Sequence, residues 1–103
     1  ALTALGIRPG DGEVATEYPL VELREGRLVS GAIDLLALDA RWATVLDFKT
    51  DPPPLVRIER SYPAYVEQLQ RYGEMLVAAG GVGPRSLRLG LLFTADGSVH
   101  WLE

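Results

Sequence analysis

Hydrophobic and polar positions alternate along the first half of the chain and change to a helical spacing in the second. From Val14 to Leu23 the alternation is loose but rich in strand-forming residues. Arg24-Glu25-Gly26-Arg27 reads as a hairpin turn into a longer apolar run, Leu28 to Leu38. In that run a period of two puts Ala32, Asp34 and Leu36 on one face and Ile33, Leu35 and Ala37 on the other. Asp39-Ala40-Arg41 is the next turn, and Trp42 to Lys49 is the third strand. Connections this short predict an antiparallel meander. Asp51-Pro52-Pro53-Pro54 stops the third strand, because proline has no N–H to give a ladder. Residues 51–60 read as loop.

Ser61 is a candidate N-cap, and Pro63 is tolerated in a first helical turn. From Tyr62 to Ala79 the spacing is helical, with Tyr65, Leu69, Tyr72 and Leu76 at i, i+4, i+7 and i+11. Gly80-Gly81 ends the helix and Gly83-Pro84 extends the break. Ser86 to Thr94 is another apolar strand, Ala95-Asp96-Gly97 a hairpin turn, and Ser98 to Leu102 a short edge strand. The order β-β-β-α-β-β predicts an α+β fold, a mixed β-sheet with one long helix packed on it. Residues 1–13, broken by Gly6, Pro9, Gly10, Asp11 and Gly12, read as an irregular lead-in.

Composition narrows the classes. The 103 residues make one small domain, 1–103, with 48% hydrophobic and 23% charged residues, an ordinary globular balance. A net charge of −4 argues against binding nucleic acid through a broad basic surface. It leaves room for an acidic site that meets a phosphate locally. With no cysteine there is no disulfide, thiolate metal site or cysteine nucleophile, which fits a reducing cytoplasm. No apolar run approaches the ~18 residues that would cross a bilayer, so no membrane is expected. The first residue is Ala1 rather than methionine, and the chain is expected to be a piece of a longer protein.

The candidate chemistry lies in the second and third strands. Asp34 and Asp47 each interrupt an apolar run, and Lys49 shares a face with Asp47. A lone carboxylate is costly to bury unless it is paired, hydrogen-bonded or bound to a metal. Two facing acids repel and raise each other's pKa, which a hard divalent cation such as magnesium relieves. Lys49 can hold a water or phosphate oxygen, or stabilise charge growing on a phosphate. Taken alone, Asp47-x-Lys49 reads first as part of a structural ion pair, Asp47–Lys49 or Asp34–Lys49, at a sheet surface. On the helix, Gln68 and Tyr72 at i, i+4 lie one above the other. Gln68 can bridge a water or phosphate, and Tyr72 can stack or donate its hydroxyl. Read as structure alone, Tyr72 is core and Gln68 its polar neighbour.

Together, Gly31-Ala32-Ile33-Asp34, Asp47-Phe48-Lys49-Thr50-Asp51 and Gln68-Leu69-Gln70-Arg71-Tyr72 resemble the G-x-x-D, D-x-K and Q-x-x-x-Y motifs of the PD-(D/E)XK nuclease superfamily. The similarity is to its RecB-like branch, including the C-terminal nuclease domains of AddA/RecB-type helicase-nucleases, and runs from about Val14 to the C-terminus. Asp34 and Asp47 are 13 positions apart, a separation that suits a hairpin connection. The resemblance implies a restriction-endonuclease-like core and a Mg²⁺- or Mn²⁺-dependent deoxyribonuclease, exonuclease in type. Such an enzyme acts on DNA in repair and recombination beside helicase domains of the same chain or complex. It implies Asp34, Asp47 and the Phe48 backbone carbonyl as metal ligands. Lys49 would position or activate water, with Gln68 and Tyr72 supporting the site or the DNA strand.

The alternative is a catalytically inactive DNA-binding or scaffold module on the same fold. That family carries an upstream helix supplying a Glu or His, and here such a helix is expected to be missing. The sheet face it would cover could drive self-association. His100 is at the wrong end for that role and reads as a surface residue. Glu17 resembles a recurrent acid of the first strand, and equally a solvent-facing residue. Arg57, Arg60, Arg85 and Arg88 read mostly as solvated surface, and Trp42 and Trp101 as packing on the sheet or its edge.

Overall fold

The computed structural model describes residues 13–102. Five strands form one sheet in the order β1-β2-β3-β4-β5. They are β1 (Glu13–Arg24), β2 (Arg27–Leu38), β3 (Trp42–Lys49), β4 (Ser86–Phe93) and β5 (Ser98–Trp101). A short helix α1 (Ile58–Ser61) and a long helix α2 (Pro63–Ala78) link β3 to β4. The first three strands and the last two pair antiparallel, while β3 and β4 pair in parallel. The fold is therefore α+β with a mixed sheet and one long helix. The lead-in expected over residues 1–13 lies outside the described residues except for Glu13, which opens β1. Among the described residues no helix is long and apolar enough to cross a membrane.

The β1–β2 turn is a two-residue loop, Glu25-Gly26, with φ of 49° and 77°. Two left-handed residues are what the right-handed twist of a tight hairpin requires. At the next turn Asp39 Oδ1 accepts the backbone N–H groups of Arg41 and Trp42, both at 2.7 Å. These bonds hold the Asp39 carboxyl below its usual pKa, the Arg41 bond contributing most.

The helix begins at Pro63 with Tyr62 as its cap and no side-chain capping bond. Ser61 closes α1 instead, because residues 58–61 already make a turn within the stretch expected to be loop. At the other end Gly80, φ 79°, follows the cap residue Ala79. The Gly80 N–H donates to Val77 O (3.0 Å) and the Gly81 N–H to Leu76 O (2.9 Å), which satisfies the last carbonyls.

The helix buries the face read from its spacing. Leu69 and Leu76 are fully buried, with Tyr65 and Tyr72 packed beside them against Ile33, Leu36, Val45, Leu91 and Phe93 of the sheet. Gly73 lets this face lie close to β4. A Cβ there would stand 3.1 Å from Leu89 Cδ1 and 3.2 Å from Leu87 Cδ2. Leu35, Ala37 and Leu46 form a second cluster with Leu92 and Val99 on the opposite sheet face.

These clusters correct the face assignment of the second strand. Ile33 packs with Leu36, not with Leu35 and Ala37. The β1–β2 register runs through Thr16↔Leu35 and Tyr18↔Ile33 but skips the position where Glu17 faces Asp34. Glu17 has φ 51°, a left-handed backbone that interrupts the pleat. Below the break odd residues of β2 face the helix, and above it even residues do. A strict period of two cannot follow the strand across that point.

Candidate functional site

The fork where β2 and β3 separate positions the two acids. Their ladder runs from Leu38↔Ala43 to Leu35↔Leu46. One step further along the same register, Asp34 stands opposite Asp47, and the ladder has ended. Beyond it β3 continues with β4, pairing Asp47 with Leu91 and Lys49 with Phe93. The Phe48 N–H donates to Asp34 Oδ2 at 2.7 Å, replacing the missing strand partner with a carboxylate.

Asp47 is only 6% exposed and, among the described residues, shares with Thr44 the class of buried polar side chains. Its Oδ2 is buried and, among the described residues, accepts no hydrogen bond. Lys49 Nζ lies 3.0 Å from this oxygen as an ion pair, but off the direction a hydrogen bond needs. Burial above all, then the hydrogen bond with the Asp34 carboxyl, pushes the Asp47 pKa up to about 6 against the opposing pull of Lys49.

Lys49 projects from the same face as Asp47, toward the helix. Its Nζ donates a long bond to Gln68 Oε1 (3.4 Å) and lies 4.0 Å from the centroid of the Tyr65 ring. The chain just past it is fastened to the helix. The Tyr65 hydroxyl bonds Asp51 Oδ1 at 2.9 Å, and the Tyr62 hydroxyl donates to the Pro52 carbonyl at 2.6 Å. Tyr62 and Tyr65 stack, with ring centroids 5.3 Å apart.

Of the residues singled out by sequence, the fold gathers Asp34, Asp47, Lys49 and Gln68. Tyr72 is half-buried one turn beyond Gln68 and lies against Gly31. A Cβ on Gly31 would stand 2.6 Å from Tyr72 Cε1, so the glycine three residues before Asp34 is the seat of the tyrosine ring. Tyr65 and Asp51 were missed as neighbours of Lys49. Tyr65, Gln68 and Tyr72 fall at i, i+3 and i+7 on one helix face, which is the signal that finds Tyr65.

Other readings change. His100 is half-buried, edge-on to Phe93 at 5.4 Å and 3.2 Å from the Ser98 hydroxyl, so it packs partly against the core rather than standing free in solvent. Arg88 is not solvated surface. Its Nε donates to Thr44 Oγ1 at 2.7 Å, and its guanidinium lies 5.2 Å from the Trp42 ring and 5.0 Å from the Trp101 ring. Arg85 Nε donates to the Asp39 carbonyl at 2.6 Å. Both arginines are tied into the sheet because each carries donors next to acceptors that β3 and its preceding turn leave open.

Two adjacent carboxylates, one with a buried oxygen lacking a hydrogen bond, fit a single hard divalent cation. Among the described residues no group of three His, Cys, Asp or Glu side chains stands together. The remaining ligands would therefore be main-chain oxygen, water or a substrate phosphate. Comparison with protein-family models finds no matching family, and comparison with curated proteins finds no match.

Proposed function

We propose that this domain is a metal-dependent DNA nuclease of the PD-(D/E)XK kind, hydrolysing phosphodiester bonds from DNA ends beside helicase domains in repair or recombination. The observation that supports the reading is the buried Asp47 carboxyl, which meets the Asp34 carboxyl and has one oxygen without a hydrogen bond 3.0 Å from the Lys49 ammonium. Such an arrangement is costly to maintain without an ion to bind.

Asp34, Asp47 and the Phe48 carbonyl would hold Mg²⁺ or Mn²⁺. The ion would polarise a phosphoryl oxygen and lower the pKa of a bound water. The protein's own groups do the rest. The Phe48 N–H holds the Asp34 carboxylate in orientation. Lys49, beside Asp47 and Gln68, would present an ammonium to an attacking water or to charge developing on phosphate. Tyr72, seated on Gly31, braces β2 behind Asp34.

The test is cleavage of end-labelled linear single- and double-stranded DNA with Mg²⁺ or Mn²⁺. Asp47→Ala and Lys49→Ala should each lower the rate by about 10²–10³-fold, the range for removing a group that meets transition-state charge. No cleavage by wild type above the Asp47→Ala background with either ion would reject the reading.

The two-carboxylate site favours one alternative, a non-catalytic DNA-binding module on this fold. Calorimetry separates the two. Mn²⁺ binding that disappears in Asp47→Ala supports the nuclease, and equal absence of binding in both proteins supports the module.

A further inference from the structure

The nuclease reading assigns work to Lys49 but leaves open what holds its ammonium in place. Lysine carries four rotatable bonds and a strongly hydrated head, so a working ammonium needs walls. Asp47 and Gln68 supply two, and neither restrains it well. The Asp47 contact lies off the hydrogen-bond direction, and the Gln68 bond is long at 3.4 Å from an exposed side chain.

The third wall is aromatic. Tyr65 sets its ring 4.0 Å from Nζ, well inside the ~6 Å reach of a cation–π contact. The Lys49 side chain is 17% exposed, and partial removal of water is the condition under which such contacts strengthen.

The ring is itself fixed from three sides. Its hydroxyl meets Asp51, two residues beyond Lys49 on the same strand end. The ring also stacks with that of Tyr62, whose hydroxyl holds the Pro52 carbonyl. The backbone of Tyr65 belongs to the first turns of α2, whose start is set by Pro63. Helix and strand end are thus joined twice around the lysine.

We propose that Tyr65 is a positioning residue that holds the Lys49 ammonium beside Asp47 through the face of its ring, with the hydroxyl–Asp51 bond fixing the ring's orientation. The proposal rests on the nuclease reading for its catalytic consequence but not for its geometry. Tyr65→Phe keeps the face and loses the tether. Tyr65→Leu keeps an apolar side chain and loses the face.

The experiment has two arms on the same three proteins. In the first, ¹³C-labelled lysine gives the shift of the Lys49 side chain, assigned with Lys49→Arg. Residues stacked over an aromatic face are shifted upfield, so the Lys49 ε-protons should be upfield in wild type and Tyr65→Phe and return to the ordinary position in Tyr65→Leu. In the second, cleavage with Mn²⁺ should fall about tenfold in kcat for Tyr65→Leu with KM unchanged, and by less than about threefold for Tyr65→Phe.

An unshifted Lys49 in wild type overturns the proposal whether or not the protein cuts DNA. Equal kcat in wild type and Tyr65→Leu, in a protein that does cut, overturns it as well. If wild type shows the ring-current shift but cuts no DNA, the geometry stands and the nuclease reading fails.

Discussion

Replacing Asp47 with asparagine should stabilise the metal-free protein at neutral and alkaline pH. Asp47 is an acid whose pKa rises from about 3.9 in an unfolded chain to about 6 in the fold, chiefly through burial and then through Asp34. A raised acid pKa means that the folded state holds the proton more tightly. The contribution is fully present below about pH 4 and is lost as pH rises through about 6. Two units at 1.36 kcal/mol each set a ceiling of about 3 kcal/mol for the cost of ionising Asp47 in the fold. Asparagine removes that cost but deprives Lys49 of its anion, an ion pair in which the lysine side chain is 17% exposed. The net gain should be roughly 1–2 kcal/mol at pH 8.

Urea unfolding of both proteins with chelator present, at pH 4.0, 5.0, 6.0, 7.0 and 8.0, reads this directly. The midpoints should nearly coincide at pH 4 and separate as pH rises, with the variant the more stable. Saturating Mn²⁺ should reverse the order at pH 8, because an ion at 100 times its Kd stabilises only the protein that binds it, by about 2.7 kcal/mol. A variant less stable than wild type at pH 8, or a difference that does not change with pH, would refute the reasoning that the carboxylate is strained by its surroundings.

Two further outcomes test the frame around the site. Gly31→Ala should cost about 1–3 kcal/mol in thermal or urea unfolding, since its Cβ would stand 2.6 Å from Tyr72 Cε1, and the cost should vanish in a Tyr72→Ala background; equal costs in both backgrounds would show that the ring can move away freely. Glu17→Gly should stabilise by up to about 1 kcal/mol by relieving a left-handed residue at φ 51°, whereas a loss of stability would mean that the Glu17 side chain holds the break in the strand.

Much of the fold was legible in the sequence because local chemistry and long-range packing agree along most of the chain. Glu25-Gly26 between two apolar strands can hardly be other than a tight turn, and Tyr65, Leu69, Tyr72 and Leu76 draw the buried stripe of a helix. The pairing of Asp34 with Asp47 was also readable, since a hairpin between Leu38 and Ala43 carries the register to them. What escaped was set by features without a residue-type signature. Glu17 adopts a glycine-like φ although nothing about a glutamate announces it, and the faces of β2 exchange there. Arg88 is drawn between Trp42 and Trp101 by a parallel pairing that brings β4 beside β3 after a long crossover. Tyr65 was visible as a core position, but its second role depends on where the Lys49 amine ends.

The fork explains why two acids can share this part of the sheet at all. In an unbroken antiparallel ladder, residues directly opposite bring their Cβ atoms to about 4.5–5.5 Å, and like charges there destabilise the pair. Ending the ladder at Leu35↔Leu46 changes what Asp34 can do. One of its oxygens takes the Phe48 N–H, a backbone donor that the parted strand leaves free, and so part of its desolvation is offset within the strand it faces. Asp47 Oδ2 has no backbone donor, only the Lys49 ammonium 3.0 Å away, and Asp47 remains the acid whose pKa is raised. The two carboxylates are therefore unequal before any ion arrives. Asp34 is oriented by the backbone, and Asp47 is raised in pKa and paired only through charge with Lys49. An ion entering the fork would gain most from Asp47, so affinity should drop as pH is lowered through about 6, in step with protonation of that one carboxylate.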